Sequence, residues 1–412
     1  MMYSRTNLVR VATVGAVLAV VACESSRDVL GPVTPSGGDI FRSYVAIGNS
    51  ITAGFQSAGI NDSTQTRAYP VLLARAMGTR FAYPALAKPG CPAPIANTQT
   101  GALVGQVGTT LPPPCSARIA ASVTEILNNV AVPGARVLDP TSPTDASNAL
   151  TTFVLGGKTQ VQRALDADPT FVTVWIGNND VLQAGLSGIL VPGVVTGQAG
   201  IRSTPAQFQT AYDALTSQLV AGAPGVKGVL MGVAQVSNLP SMSLGGLIAG
   251  SVAIQAGLSA AAGKPVTVMP DCTGSTSLVN VPQLIQAIRA NAHPAVVSCM
   301  PGTLPAPVGN VFVLDPTEQA TLSGTITAYN NYIKSKADAL QFGYWDPNPL
   351  FAAKRASGEI PPFPNLASAT ATFGPLISLD GVHPSSAAHV LIANELIGVI
   401  NTKYGTTLKP VQ

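Results

Sequence analysis

Four short apolar runs, rich in β-branched residues, punctuate this chain: "SYVAIG" at 43–48, "FVTVWIG" at 171–177, "GVLMGVAQV" at 228–236 and "NVFVL" at 310–314. A strand with one wet face alternates apolar and polar positions. A run that does not alternate belongs in a sheet covered on both sides. Segments with helical spacing lie between and beyond the runs: "AYPVLLARAM" (68–77), "TQVQRALDAD" (159–168), "QFQTAYDALTSQLVAG" (207–222), "TITAYNNYIKSKADAL" (325–340) and "PSSAAHVLIANELIGVINTKYG" (384–405). The last is expected to carry Pro384 in its first turn and to stop at Gly405. Strands alternating with helices predict an α/β fold, a mostly parallel sheet between two helical layers. With 412 residues, 46% of them hydrophobic and 10% charged, the chain has ample material for the core.

Three stretches break the rhythm: the loop-like 84–118, the Gly-rich 181–205, and 240–308. The last contains "SLGGLIAGSVAIQAGLSAAAG", which has no charge. Its Gly, Ala and Ser content makes it only weakly apolar. It is read as an insertion that contains helix and packs near the functional site, not as a membrane span.

The N-terminus precedes the fold. Arg5 and Arg10 lead into the apolar run Val11 to Ala22, too short to cross a bilayer and of the length of a signal-peptide core. The run stops at Cys23, and "VVAC" resembles a bacterial lipobox, in which the cysteine carries lipid. Residues 1–22 are therefore expected to be a signal peptide, and 23–40 a lipidated Cys23 with a flexible polar tether. The folded domain is expected over 41–407. This places the protein in a bacterial cell envelope, held to a membrane by its lipid.

Five cysteines are an odd number for an exported chain. Setting Cys23 aside leaves Cys91, Cys115, Cys272 and Cys299. Of three possible connectivities, Cys91–Cys115 with Cys272–Cys299 is the simplest, since each pair brackets one loop. No cysteine pair has C-x-x-C spacing and there are only three histidines, so no metal site is expected. A net charge of +3 with scattered basic residues gives no sign of nucleic acid.

In parallel α/β sheets, functional loops gather beyond the carboxyl ends of the strands. The first strand ends in Gly48-Asn49-Ser50, and the second in Gly177-Asn178-Asn179-Asp180. A third polar group, Asp380 and His383 in "LDGVHPSS", precedes the last helix. Three residues apart, a carboxylate and an imidazole share one tight turn. The carboxylate then orients one ring nitrogen and leaves the other as a base. A serine hydroxyl needs such a base to act as nucleophile, and Ser50 is the candidate. An oxyanion formed on attack needs fixed donors. The Ser50 amide, the Gly134 amide in "NNVAVPGARV" (128–137) and the Asn179 side chain are candidates, each worth about 3 kcal/mol in the transition state. His293 and His389 are assigned to structure. So, as alternatives, Asn179 and Asp180 serve as caps of the following helix.

These blocks, in this order, resemble the Ser-Gly-Asn-His hydrolases, the GDSL-type esterases and lipases. "GNSI" matches the serine block, "NVAVPG" the glycine block, "GNND" the asparagine block and "DGVH" the histidine block. The resemblance covers roughly Arg42 to Tyr404. It implies a three-layer α/β/α sandwich with a flavodoxin-like sheet, an acyl-serine route to ester hydrolysis, and no cofactor. The G-x-S-x-G elbow of the other large hydrolase fold does not occur in the chain. Two positions depart from the family pattern: Asn49 stands for its Asp, and Ala131 for its first Gly. Acyl transfer to an alcohol and removal of O-acetyl groups from carbohydrate use the same machinery. A surface-binding lipoprotein with a dead site is the alternative of another class. If 240–308 lines the site, esters with apolar acyl chains are the expected substrates.

Overall fold

The computed structural model describes residues 38–112, 118–119, 125–142, 149–190, 200–201, 203–300 and 311–412. The expected signal peptide, Cys23, most of the tether, and Cys115 with its expected bond to Cys91 fall outside these residues. Four parallel strands form the central sheet: β1 (Tyr44–Gly48), β2 (Phe171–Trp175), β3 (Lys227–Met231) and β4 (Gly343–Trp345), in that spatial order. On the free edge of β1 runs the segment 128–132, also parallel. Ala46 donates its N–H to the Asn128 carbonyl at 2.8 Å, and Val130 donates to the Ala46 carbonyl at 3.0 Å. Counting this segment, the sheet has the flavodoxin-like order in which the second element sits outside the first.

Every residue of β1 and β2 is buried. Successive side chains alternate between faces, so the unbroken apolar runs fill two cores. Val45, Ile47, Val172, Val174 and Leu230 pack against helices Pro205–Gly222 and Pro316–Leu340. Tyr44, Ala46, Phe171, Trp175, Val229 and Met231 pack against helices Tyr69–Met77 and Ser386–Tyr404. The chain is thus an α/β/α sandwich.

One expected strand lies elsewhere. Among the described residues of "NVFVL", Val313–Leu314 form a strand, antiparallel to Leu278–Asn280 in a separate three-stranded sheet with Met242–Leu244. The next residue, Asp315, caps a helix in a full capping box with Glu318, so the strand cannot extend past the end of the run. The fourth central position falls to Gly343–Trp345, three residues with no visible pattern. The last helix also differs from its expected start. Ser385 is its N-cap, so Pro384 stands ahead of the helix, while Gly405 closes it in a left-handed conformation as expected. Past 407, Leu408 is buried in the second core and Val411 donates to Asn394.

The insertion folds around a core of its own, built on Ile248, Leu258, Val279, Leu284, Ile285 and Ile288. Its uncharged run breaks into helices Gly245–Ala249 and Val252–Ala262, the second capped by Ser251. Among the described residues, no helix is long and apolar enough to cross a membrane. The buried disulfide Cys272–Cys299 joins residues 27 apart. In the chain-entropy view such a loop gains about 3 kcal/mol from the bond. Replacing both cysteines by serine is expected to cost about that much in denaturant unfolding. A loss below about 1 kcal/mol would mean the core of the insertion orders the loop without the bond.

Candidate active site

β1 ends at a residue that has to be glycine. A Cβ on Gly48 would stand 2.3 Å from Thr52 Oγ1 and 2.7 Å from the Trp175 carbonyl oxygen. Asn49 follows in extended conformation and caps the single turn Ser50–Ala53, accepting from the Ile51 N–H at 3.2 Å. The Asn oxygen serves this purpose, so the cap survives without the family's carboxylate. Ser50 is left at the first helical position. There its N–H has no helical acceptor, and it finds none among the described residues.

The histidine block arrives from the other end of the chain. His383 Nε2 lies 2.9 Å from Ser50 Oγ, and its Nδ1 lies 2.8 Å from Asp380 Oδ2. The carboxylate is held from several sides. Oδ1 accepts from the Val382 N–H at 2.9 Å, the His383 N–H at 2.8 Å and the Ser378 hydroxyl at 3.2 Å. Oδ2 also accepts from the Ala58 N–H at 2.7 Å. Burial pushes this carboxyl up, but the His383 imidazole and these N–H groups outweigh it and hold it at about 2. An ionised Asp380 accepts a hydrogen bond from the Nδ1–H, which leaves Nε2 to accept from the serine hydroxyl. The Phe55 ring, 4.9 Å from the imidazole, covers it.

Ser57 and Ala58 complete the brace, and nothing in the sequence singles them out. Both adopt left-handed backbone conformations, with φ 56° and 58°, without being glycine. The Ser57 N–H donates to Ser378 Oγ at 2.8 Å, and the Leu379 N–H donates to Ser57 Oγ at 3.1 Å. Strain of this kind costs on the order of 1–2 kcal/mol and is held in place by its surroundings. Here it aims two consecutive amides at the Asp380 turn.

Gly134 and Asn179 are tied to the strand ends by way of the loop after 128–132. Val132 donates its N–H to the Gly48 carbonyl at 3.1 Å, and Asn129 Nδ2 donates to the Thr52 carbonyl at 2.8 Å. Two residues beyond Val132 is Gly134, exposed, with φ 86° and an N–H that has no acceptor among the described residues. Asn179 Nδ2 donates to the Ala135 carbonyl at 2.8 Å, which ties the loop to the carboxyl end of β2. The glycine there is obligatory too. Gly177 has φ 111°, and a Cβ would meet Phe208 at 2.7 Å and Val233 at 2.9 Å.

Neither Asn179 nor Asp180 caps the following helix, Asn178–Ser187. They lie inside its first turn, and Gly177 holds the cap position without a side-chain bond. Asp180 is buried behind the site, accepting from the Ser203 hydroxyl and from the Val137 N–H at 2.9 Å. Burial pushes its carboxyl up to about 6, against the pull of those two bonds. His389 is fully buried with Nδ1 accepting from the Tyr69 N–H at 3.2 Å, and burial lowers it to about 3. His293 sits in the insertion, its Nδ1 2.7 Å from the Pro294 carbonyl oxygen. Neither joins the Ser50 group.

The insertion packs at the far end of helix Asn178–Ser187. Asn280 Nδ2 donates to the Leu186 carbonyl, and Phe312, just past the insertion, donates its N–H to the Ser187 carbonyl. At 1.5 Å per residue, that contact is about 10 Å along the helix from Asn179. Among the described residues, no hydrogen bond joins the insertion to Ser50, Asp380 or His383, so the expectation that it lines the site gains nothing from these contacts.

The profile of the GDSL-like lipase/acylhydrolase family matches residues 44–396. Comparison with curated proteins gives no match. Among solved structures, the chain is similar to a family two carbohydrate esterase from Clostridium thermocellum, at 13% identity and a TM-score of 0.37. That match covers 89% of this chain, which spans only 65% of that esterase's length. An acetylxylan esterase from Geobacillus stearothermophilus matches at 12% identity over 92% of this chain and 100% of that one, with a TM-score of 0.39. An extracellular lipase from Streptomyces rimosus matches at 14% identity over 88% and 99%, with a TM-score of 0.36.

Proposed function

Because the chain belongs to the GDSL-like lipase/acylhydrolase family, and is by that an ester-hydrolysing enzyme, we propose that it cleaves carboxylic esters through an acyl-Ser50 intermediate. The observation that supports this most is the continuous chain of hydrogen bonds from Ser50 Oγ through His383 to Asp380, at 2.9 and 2.8 Å. In this reading His383 Nε2 takes the hydroxyl proton as Ser50 Oγ attacks the ester carbon. Asp380 stabilises the imidazolium that forms. The charge developing on the carbonyl oxygen is met by the N–H groups of Ser50 and Gly134 and by the second N–H of the Asn179 amide. Collapse of the adduct expels the alcohol, which leaves with the proton from Nε2. Water then enters, gives its proton to Nε2 and attacks the acyl carbon. Loss of Ser50 Oγ, reprotonated by His383, yields the acid.

A fluorophosphonate probe is expected to label the protein at Ser50, with no labelling of Ser50→Ala. Failure to label the wild type would favour a binding lipoprotein. A competing alcohol separates hydrolysis from acyl transfer, because a transferase gives the new ester as its main product. Asn179→Ala is expected to lower kcat by about 10²–10³ with little change in KM, the signature of a donor that acts only in the transition state. Equal loss in KM alone would assign Asn179 to substrate binding. The lipobox supports anchoring by lipid on Cys23, so Cys23→Ser is expected to move the protein from the membrane fraction to the soluble one with esterase activity kept.

A further inference from the structure

The geometry points to Gln160 as a positioning residue for the oxyanion donors, acting through Gly48; this rests on the ester-hydrolase reading above. Gln160 opens the helix Gln160–Leu165, is 1% exposed, and is not part of any block that suggested the site. Its Oε1 accepts the N–H of Gly48 at 3.1 Å. The ladder beside β1 shows what this bond replaces. Ala46 gives its N–H to Asn128 and receives one from Val130, and Gly48 receives one from Val132. A regular parallel ladder would send the Gly48 N–H to the Val130 carbonyl. Gln160 takes that rung.

The Gly48 residue is therefore pinned on both sides, by Gln160 at its N–H and by Val132 at its carbonyl. Two residues beyond Gly48 comes the Ser50 N–H. Two residues beyond Val132 comes the Gly134 N–H. Both backbone donors hang from this one point, and donors of this kind lose effect when displaced by a fraction of an ångström.

The other end of the side chain argues against a role in stability alone. Gln160 Nε2 is buried and has no partner among the described residues, and the same is true of Asn49 Nδ2, between the strand end and Ser50. A buried donor without an acceptor weakens the folded state. An apolar side chain of the same length would fill the space without that donor, so what the amide contributes is the single acceptor Oε1.

Gln160→Met keeps length, orphans the Gly48 N–H and at the same time removes the orphaned Nε2, so it is expected to lower kcat about tenfold or more with KM within about twofold and only a small shift in melting temperature. Gln160→Glu retains an acceptor, and burial favours its neutral form. It is expected to restore kcat to within about threefold of wild type. Wild-type kcat in folded Gln160→Met overturns the assignment, as does a Glu variant as slow as the Met variant. Should Gln160→Met fail to fold, Gln160→Asn, one methylene too short to reach Gly48, takes its place with the same expected loss. Ser50→Ala is measured alongside. If it is inactive while Gln160→Met is fully active, only the role of Gln160 falls. If Ser50→Ala keeps its turnover, the ester-hydrolase site falls and Gln160 with it.

Discussion

Ser50→Ala is expected to lower kcat by about 10⁴–10⁶ while leaving the fold intact. The side chain is small and 7% exposed, so the change removes one oxygen and leaves almost no cavity. What is lost is the covalent route. His383→Ala should cost about as much, since a hydroxyl without a base is a poor nucleophile. The double variant should be scarcely worse than either alone, because the two act as one unit. Steady-state kinetics on protein with a wild-type melting curve decides the matter. Near-wild-type turnover in folded Ser50→Ala would refute the site. So would a result in which His389→Ala, removing a buried neutral imidazole of the core, costs as much kcat as His383→Ala.

The second large effect belongs to Asp380→Asn, expected to reduce kcat by about 10⁴. The carboxylate receives donors on both oxygens, from Ala58 and His383 Nδ1 on one, and from Val382, the His383 amide and Ser378 on the other. An asparagine has one oxygen. Whichever side its NH₂ takes, it faces at least two donors, and an NH₂ toward Nδ1 selects the wrong tautomer. A loss under tenfold would mean the ring is held by something other than this carboxylate. The same lowered carboxyl gives a pH expectation. Its folded value, about 2, lies below the unfolded value near 4, so its contribution to stability is complete above that upper value and disappears as pH falls through about 2. Acid unfolding of Asp380→Asn should therefore lack this component, and between pH 5 and 9 no titration of Asp380 should appear in either activity or stability.

Ser50, His383 and Asp380, which the structure joins by hydrogen bonds, were each legible in the sequence as part of a short local motif. Asp380 and His383 lie three residues apart in one turn, a local spacing that can be read without the rest of the chain. Two of the three central strands placed from the apolar runs, β1 and β2, agree closely with the structure, because burial on both faces leaves a continuous signal. The failures have a common cause. "NVFVL" has the composition of a buried strand, but only pairing decides which sheet takes it, and the partner Leu278–Asn280 lies in the insertion. Gly343–Trp345 is too short for any period to show. Ser57, Ala58 and Gln160 act through backbone conformation or through one oxygen aimed at a backbone N–H. Neither leaves a mark in residue type or spacing.

The bond between Ser50 and His383 closes a separation of 333 residues. During synthesis, β1 with its serine turn, β2 and β3 all leave the ribosome before any residue of the Asp380 turn has been made. Up to that point the serine has no base and is chemically idle. If the proposed mechanism holds, the chain can attack esters only once the segment carrying Asp380 and His383 has packed beside Ser50, where Leu408 and Val411 secure the helix that follows. Contacts this distant in sequence form late and slowly. On the proposed mechanism the order of the motifs works as a timing device: a chain interrupted before residue 383 would carry Ser50 without its base.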